Sequence, residues 1–220
     1  MTAAGAARAA LGAALLTGCL SPPGAPVADA GPGSGDCDGV LQALSDDFNG
    51  EPETRWELVE KGTCIVQYPD DEVRIIPGVD SECGIRSRFT YAVEGGGVVL
   101  DLDSDGTTGG VPALALGLWG DGDVRAEVAV TPEGTFVREC DGCAQRAVQV
   151  DGPPLALRLR VGGGKVVADA SVDGTTFGAP TSMGDPGLAG GCAAVAIIGA
   201  DGGGSGEDIW VDAVIGTDGP

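Results

Sequence analysis

Short stretches in which apolar and polar residues alternate recur through most of the chain, separated by Gly, Asp and Pro. The clearest covers residues 155–161, where Leu155, Leu157, Leu159 and Val161 share one parity and Ala156, Arg158 and Arg160 the other. A period of two puts successive side chains on opposite faces of a strand, so such a segment buries one face and wets the other. Similar runs predict strands over residues 55–59, 72–76, 84–91, 98–103, 113–119, 124–130, 165–172, 192–198 and 209–215. Gly162, Gly163 and Gly164 supply a hairpin turn between two of them. One short helix is predicted over residues 39–44. About ten to thirteen strands and no repeat period argue an all-β fold, a two-sheet antiparallel β-sandwich, and exclude a propeller or solenoid.

Residues 1–18 break this pattern. They carry one cation, Arg8, no acid, and an apolar run over residues 9–18. Ten residues are too few to span a bilayer as a helix and suit the hydrophobic region of a secretory signal peptide. The stretch Leu16-Thr17-Gly18-Cys19 resembles the bacterial lipobox. That resemblance implies cleavage before Cys19, lipidation of Cys19 and anchoring in the cell envelope, since two or more acyl chains hold a protein stably on a membrane. Leu20 in place of Asp implies the outer membrane. Residues 20–35, rich in Ser, Pro, Ala and Gly, read as a flexible tether completing the segment 19–36. Residues 37–220 form the domain.

Composition removes several functions. The chain has no His, which excludes Ser-His-Asp and Cys-His catalysis and His-ligated metals. Its net charge of −21 opposes binding to a nucleic-acid backbone. Six cysteines remain after Cys19: Cys37, Cys64, Cys83, Cys140, Cys143 and Cys192. An even number in an exported domain implies disulfides, although six allow fifteen connectivities. Cys64 and Cys83 flank a predicted hairpin, Cys140 and Cys143 suit a small local loop, and Cys37 with Cys192 would complete the set. The Cys140–Cys143 pair lacks the βαβ context of a redox dithiol and the second pair of ligands of a zinc site.

The order of motifs in residues 45–216 resembles the concanavalin A-like lectin/glucanase superfamily. It opens with Ser45-Asp46-Asp47-Phe48-Asn49-Gly50 and Thr54-Arg55-Trp56. It continues with Leu157-Arg158-Leu159-Arg160 and, after a Gly turn, Ala170-Ser171-Val172-Asp173-Gly174-Thr175-Thr176-Phe177. It closes with Ile209-Trp210-Val211-Asp212-Ala213-Val214. The resemblance implies a jelly roll whose first and last strands lie side by side. It also implies sugar binding or glycoside hydrolysis, and a calcium ion between those strands at Asp47 and Asp212.

Four sets of residues carry candidate chemistry. Hydrolysis needs two carboxylates across the scissile bond. The E-x-D-x-x-E string of the superfamily's enzymes is missing, and Glu127 has no acidic partner at i+2. Trp119, beside Gly120-Asp121-Gly122-Asp123, is a candidate ring for stacking a sugar, with a core-edge role as the competing reading. Asp101, Asp103 and Asp105 before Gly106 begin like a calcium loop. Pro112 at the twelfth position excludes an EF-hand, and an acidic hairpin turn competes with a calcium site. Arg86, Arg88, Arg158 and Arg160 would make a basic stripe for carboxylate ligands if their strands were neighbours. Solvated ion pairs are the alternative. The expected role is non-catalytic binding of a glycan or other cell-surface ligand, with no nucleic-acid partner and membrane contact only through the lipid. A glycosidase with an unusual acid pair and a structural envelope protein are the alternatives.

Overall fold

The computed structural model describes residues 37–49, 52–103, 113–122, 124–139, 144–200 and 208–219. The expected signal peptide, Cys19, the tether, Asp105, Cys140 and Cys143 lie outside the described residues.

The chain opens with β1 (Gly39–Val40), a 3₁₀ turn (Leu41–Ala43), β2 (Ser45–Asp46) and a single helical turn, α1 (Pro52–Arg55). There follow β3 (Trp56–Lys61), β4 (Cys64–Gln67), β5 (Val73–Pro77), β6 (Glu82–Ser87) and β7 (Tyr91–Ala92). The central strands are β8 (Gly96–Leu102), β9 (Ala113–Trp119), β10 (Arg125–Thr131), β11 (Gly134–Arg138) and β12 (Gln145–Ala147). The last are β13 (Ala156–Gly162), β14 (Lys165–Ser171), β15 (Thr181–Gly184), β16 (Cys192–Ala200) and β17 (Ile209–Asp218).

These strands form two sheets. One runs β1-β7-β16-β9-β10-β11-β12, with β6 also on β16 and β3 on β6. The other runs β15-β14-β13-β8-β17-β5-β4, with β2 on β17. Among the described pairs all are antiparallel except β1 with β7. The predicted alternation sets which face is inside. Leu157, Leu159 and Val161 of β13 meet Leu116, Leu118 and Val128 of the facing sheet in one core. Each such side chain contributes about 1.5–3 kcal/mol on full burial. As the family resemblance implies, an N-terminal strand adjoins the last one: β2 pairs with β17, with Asp46 opposite Val214 and Ser45 opposite Ile215.

Three expectations change. The predicted helix over residues 39–44 is only a 3₁₀ turn, because Leu44 N–H closes on Leu41 C=O and the chain then enters β2. The predicted strand over residues 84–91 is cut in two. The Ser87 hydroxyl donates to Phe89 C=O and accepts from Val195 N–H, which turns residues 88–90 out of the sheet. Cys64 and Cys83 are paired, but across the sandwich rather than within one hairpin. Cys64 lies on β4 in one sheet and Cys83 on β6 in the other, with Cα atoms 5.7 Å apart. Cys37 and Cys192 are also bonded, tying the start of the domain to β16.

Candidate functional site

Two groups of polar residues compete for the role of site, and their exposure separates them. The first lies on the outer face of the sheet containing β9 and β10. Across that face the register aligns Glu57, Arg86, Ala196, Gly117, Glu127 and Arg138 in one row. Arg86 is paired with Glu57, and Arg138 donates from Nε to Glu127 at 2.7 Å. The Trp119 indole lies over Gly117, where a Cβ would come within 2.8 Å of its Nε1. That nitrogen is 3.4 Å from Glu127, and the Arg125 guanidinium stands 5.1 Å from the ring centroid. Trp119 is only 7% exposed, so it presents no open ring for a sugar. Its competing reading, a core-edge tryptophan, describes its position. Glu57 and Glu127 sit four strands apart, roughly 19 Å at the usual strand spacing. Glycosidase carboxylates stand about 5–10 Å apart, so these two do not share a scissile bond.

The second group lines an open cavity of about 280 Å³ at the edge where β2, β3 and β7 converge. Its wall includes Ser45, Asp46, Arg55, Trp56, Phe89 and Tyr91. The opening D-D-F-N-G motif builds the floor. Asp46, 5% exposed, accepts from Phe48 N–H at 2.9 Å and from the Trp56 indole at 2.9 Å. Those bonds hold Phe48 at φ 56°, a conformation that bulky residues seldom adopt. They also set its ring 5.7 Å from that of Trp56. Arg55 reaches Asp46 at 3.4 Å and keeps an exposed guanidinium. The turn after Ser87 carries Phe89 to the rim, where it is 43% exposed.

Two tyrosines belong to the same neighbourhood. Burial, followed by the negative charges of Glu53 and Asp46, pushes the Tyr68 hydroxyl above its usual pKa, with Arg88 opposing. Burial raises Tyr91 as well, Arg55 acting against it and Asp46 and Asp38 with it. Both stay neutral donors at physiological pH. Three of the nine aromatic residues, Trp56, Phe89 and Tyr91, line the cavity with Asp46, and Phe48 packs against Trp56. Arg88 supports the wall from behind, its Nε donating to the carbonyls of Glu53 and Trp56 at 3.1 Å each.

The remaining predicted site residues are scattered. Arg86 and Arg88 follow one sheet, on and just after β6, whereas Arg158 and Arg160 lie on β13 in the other. The four do not form one stripe. Their strands had to be neighbours for that, and alternation within a strand does not decide which strands adjoin. Asp47 caps its own turn by accepting from Asn49 Nδ2, which leaves it exposed beside the buried Asp46. Asp212 sits at a β-bulge where the pairing of β17 with β8 shifts between Val211 and Ala213. Burial and the charge of Asp103 raise its pKa, while burial and Asp212 raise that of Asp101. Among the described residues no three acidic or cysteine side chains converge as a metal site. Nothing in the sequence marks Phe89 or Tyr91 as a site residue, and Asp46 enters only as part of the opening motif. Phe89 and Tyr91 share a parity in the predicted strand, and only the break at Ser87 brings them to the cavity.

No protein-family model and no curated protein matches the sequence. Solved structures do match in shape. The GH43 protein BlXynB of Bacillus licheniformis superposes with a TM-score of 0.57 at 14% identity over 80% of this chain. The chain spans 39% of that protein's length. A glycosyl hydrolase family protein of Mycobacterium fortuitum gives 0.52 at 14% identity, covering 80% of this chain and 99% of that one. A legume lectin-like domain of Entamoeba histolytica gives 0.58 at 14% identity, covering 80% and 97%. At such identities the likeness concerns the fold, and the fold is a jelly-roll β-sandwich of the concanavalin A-like kind.

Proposed function

We propose that this protein binds a carbohydrate, without cleaving it, in the cavity around Asp46, and that it does so from the cell envelope. The observation that carries this reading is a cavity that sets the exposed Phe89 ring and the Tyr91 hydroxyl beside one bonded carboxylate and an exposed guanidinium. Sugars present apolar C–H faces that stack on rings and hydroxyls that need donors and acceptors. Phe89 supplies the ring, Asp46 and the Ser45 hydroxyl accept, and Arg55 and Tyr91 donate. Asp46 is the one carboxylate lining the cavity among the described residues, and hydrolysis takes two. The neighbours in shape include a lectin-like domain and glycoside hydrolase proteins, which suits a carbohydrate ligand. Two disulfides suit an oxidising compartment, and with the lipobox resemblance they support export and lipid anchoring at Cys19.

A glycan array probed with the full chain in detergent tests the binding. Saturable binding to one glycan class is expected, weakened at least tenfold in Phe89→Ala and in Arg55→Ala. A blank array from folded, disulfide-bonded protein refutes the reading, and so does unchanged binding by both variants. Labelling of Cys19 by a fatty acid in cells, lost in Cys19→Ser, tests the anchor.

A further inference from the structure

The outer face of the second sheet carries a pairing that runs against the charge of the molecule. Acids outnumber cations 33 to 12 in this chain. Single pairs such as Arg74 with Asp208, Lys61 with Glu82 and Arg138 with Glu127 match one cation to one carboxylate, whereas Arg86 and the more distant Arg88 share the half-exposed Glu57. On β13 and β14 two cations share a carboxylate that is itself buried. Asp169 stands opposite Arg158 in the register. It accepts from Arg158 Nε at 2.7 Å and Nη2 at 2.8 Å, and from Arg160 Nη2 at 2.8 Å. The Asp169 side chain is 1% exposed, those of Arg158 and Arg160 23% and 16%. Two guanidiniums thus share one buried carboxylate, and one positive charge is left over.

Among the described residues, the ion pairs of Arg158 and Arg160 are with Asp169 alone. Asp173 spends its carboxylate on the backbone of Thr175 and Thr176 and on Ser171. Asp101 stands opposite Ala156 in the next strand, one pleat away from Arg158. Arg160 Nε is fully covered and has no hydrogen-bond partner. A buried donor left unmet costs about 1–3 kcal/mol. The site is also shaped. Gly97, facing Arg160, leaves room for its stem, since a Cβ there would come within 2.4 Å of Arg160 Cγ. The Arg158 guanidinium lies 3.9 Å from the centroid of the Phe177 ring. That stacking fixes the plane of its fork.

We propose that Arg158 and Arg160, set by Asp169 and Phe177, form an oxyanion site that takes the carboxylate or sulfate of an acidic sugar. Asp169 takes the Nε and Nη2 side of Arg158, so an incoming oxyanion would meet the remaining guanidinium N–H groups of the two arginines, donors that suit carboxylate and sulfate. The overall negative charge keeps long polyanions away, which restricts the site to a single anionic group or a sparsely charged chain. The site lies on the opposite sheet from Arg86 and Arg88 and does not depend on the cavity at Asp46.

Arginine Nε–Hε signals in a ¹⁵N–¹H spectrum of the full chain in detergent test the proposal. Sodium glucuronate, inorganic sulfate and uncharged glucose are titrated separately at constant ionic strength. Arg158→Lys and Arg160→Lys each remove one signal and so assign the pair. Saturable shifts of those two signals with glucuronate or sulfate, and none with glucose, are expected. A response to glucuronate alone identifies a carboxylate site, and a response to sulfate alone a sulfate site. Affinity should fall at least tenfold in Arg160→Gln, and Asp169 should still be bonded to Arg158 in that variant. Equal shifts with all three probes overturn the proposal. So do shifts spread over every arginine, or none at tens of millimolar anion.

Discussion

Asp46 joins the two opening motifs, and its removal has a calculable effect. In Asp46→Ala the indole N–H of Trp56 and the amide N–H of Phe48 both lose their acceptor. Trp56 is 2% exposed, so water does not replace it there. Each buried donor left unmet costs about 1–3 kcal/mol, and bonds to a charged acceptor lie toward the upper end. The Arg55 pair, long and with an exposed guanidinium, adds no more than about 1 kcal/mol. A loss of about 3–5 kcal/mol is expected, a large share of the roughly 5–15 kcal/mol that holds a domain together. Asp46→Asn keeps one acceptor and should lose less. Trp56→Phe removes the donor, so in a double-mutant cycle it should show about 1.5–3 kcal/mol of coupling to Asp46→Ala. Urea unfolding followed by far-ultraviolet circular dichroism measures all four proteins without relying on tryptophan emission. A cost below about 1 kcal/mol for Asp46→Ala, or strict additivity with Trp56→Phe, would refute the reasoning.

Three further outcomes follow from the same geometry. The Cys37–Cys192 and Cys64–Cys83 bonds close sequence separations of 155 and 19 residues. By chain entropy, replacing the pairs with Ser should cost about 5 and about 3 kcal/mol respectively, and equilibrium urea titrations should reproduce that order. Asp101 and Asp212 have raised pKa values in the folded protein, so they bind protons more tightly folded than unfolded. Their contribution to stability is complete below the unfolded pKa and is lost as pH rises through the folded one. Asp212→Asn should therefore raise Tm at pH 7 and leave it nearly unchanged near pH 3, as calorimetry would show. Gly117→Val places a Cβ where the Trp119 indole lies. It should cost about 1–3 kcal/mol and shift tryptophan emission to the red as the ring leaves Glu127.

Much of the sandwich was legible in the chain because burial acts locally through the pleat. Strands β8, β9, β10, β13, β14 and β16 fall where alternation places them, with ends moved by a residue or so. Most strands without a sequence signal are short or lie at sheet edges, β11, inside its sheet, being the exception. β12 is exposed throughout and β4 is half-wet, so neither shows an apolar face to read. The candidate site was less legible. Its wall draws on segments around residues 45, 55 and 90, and their meeting depends on one hydroxyl, that of Ser87, ending a strand that alternation would have continued.

The sequence by itself determined the class of fold and the inner and outer faces of most strands, since those follow from side-chain period. Tertiary structure alone decided which strands became neighbours. That choice put Arg86 and Arg158 on opposite sheets, sent the Cys64–Cys83 bond across the sandwich and folded Trp119 under Arg125. It also raised Phe89 to the rim of a cavity floored by Asp46. The physical reason is that strand order is set by the joint packing of two sheets over one core, an energy spread over the whole chain and carried by no single segment of it.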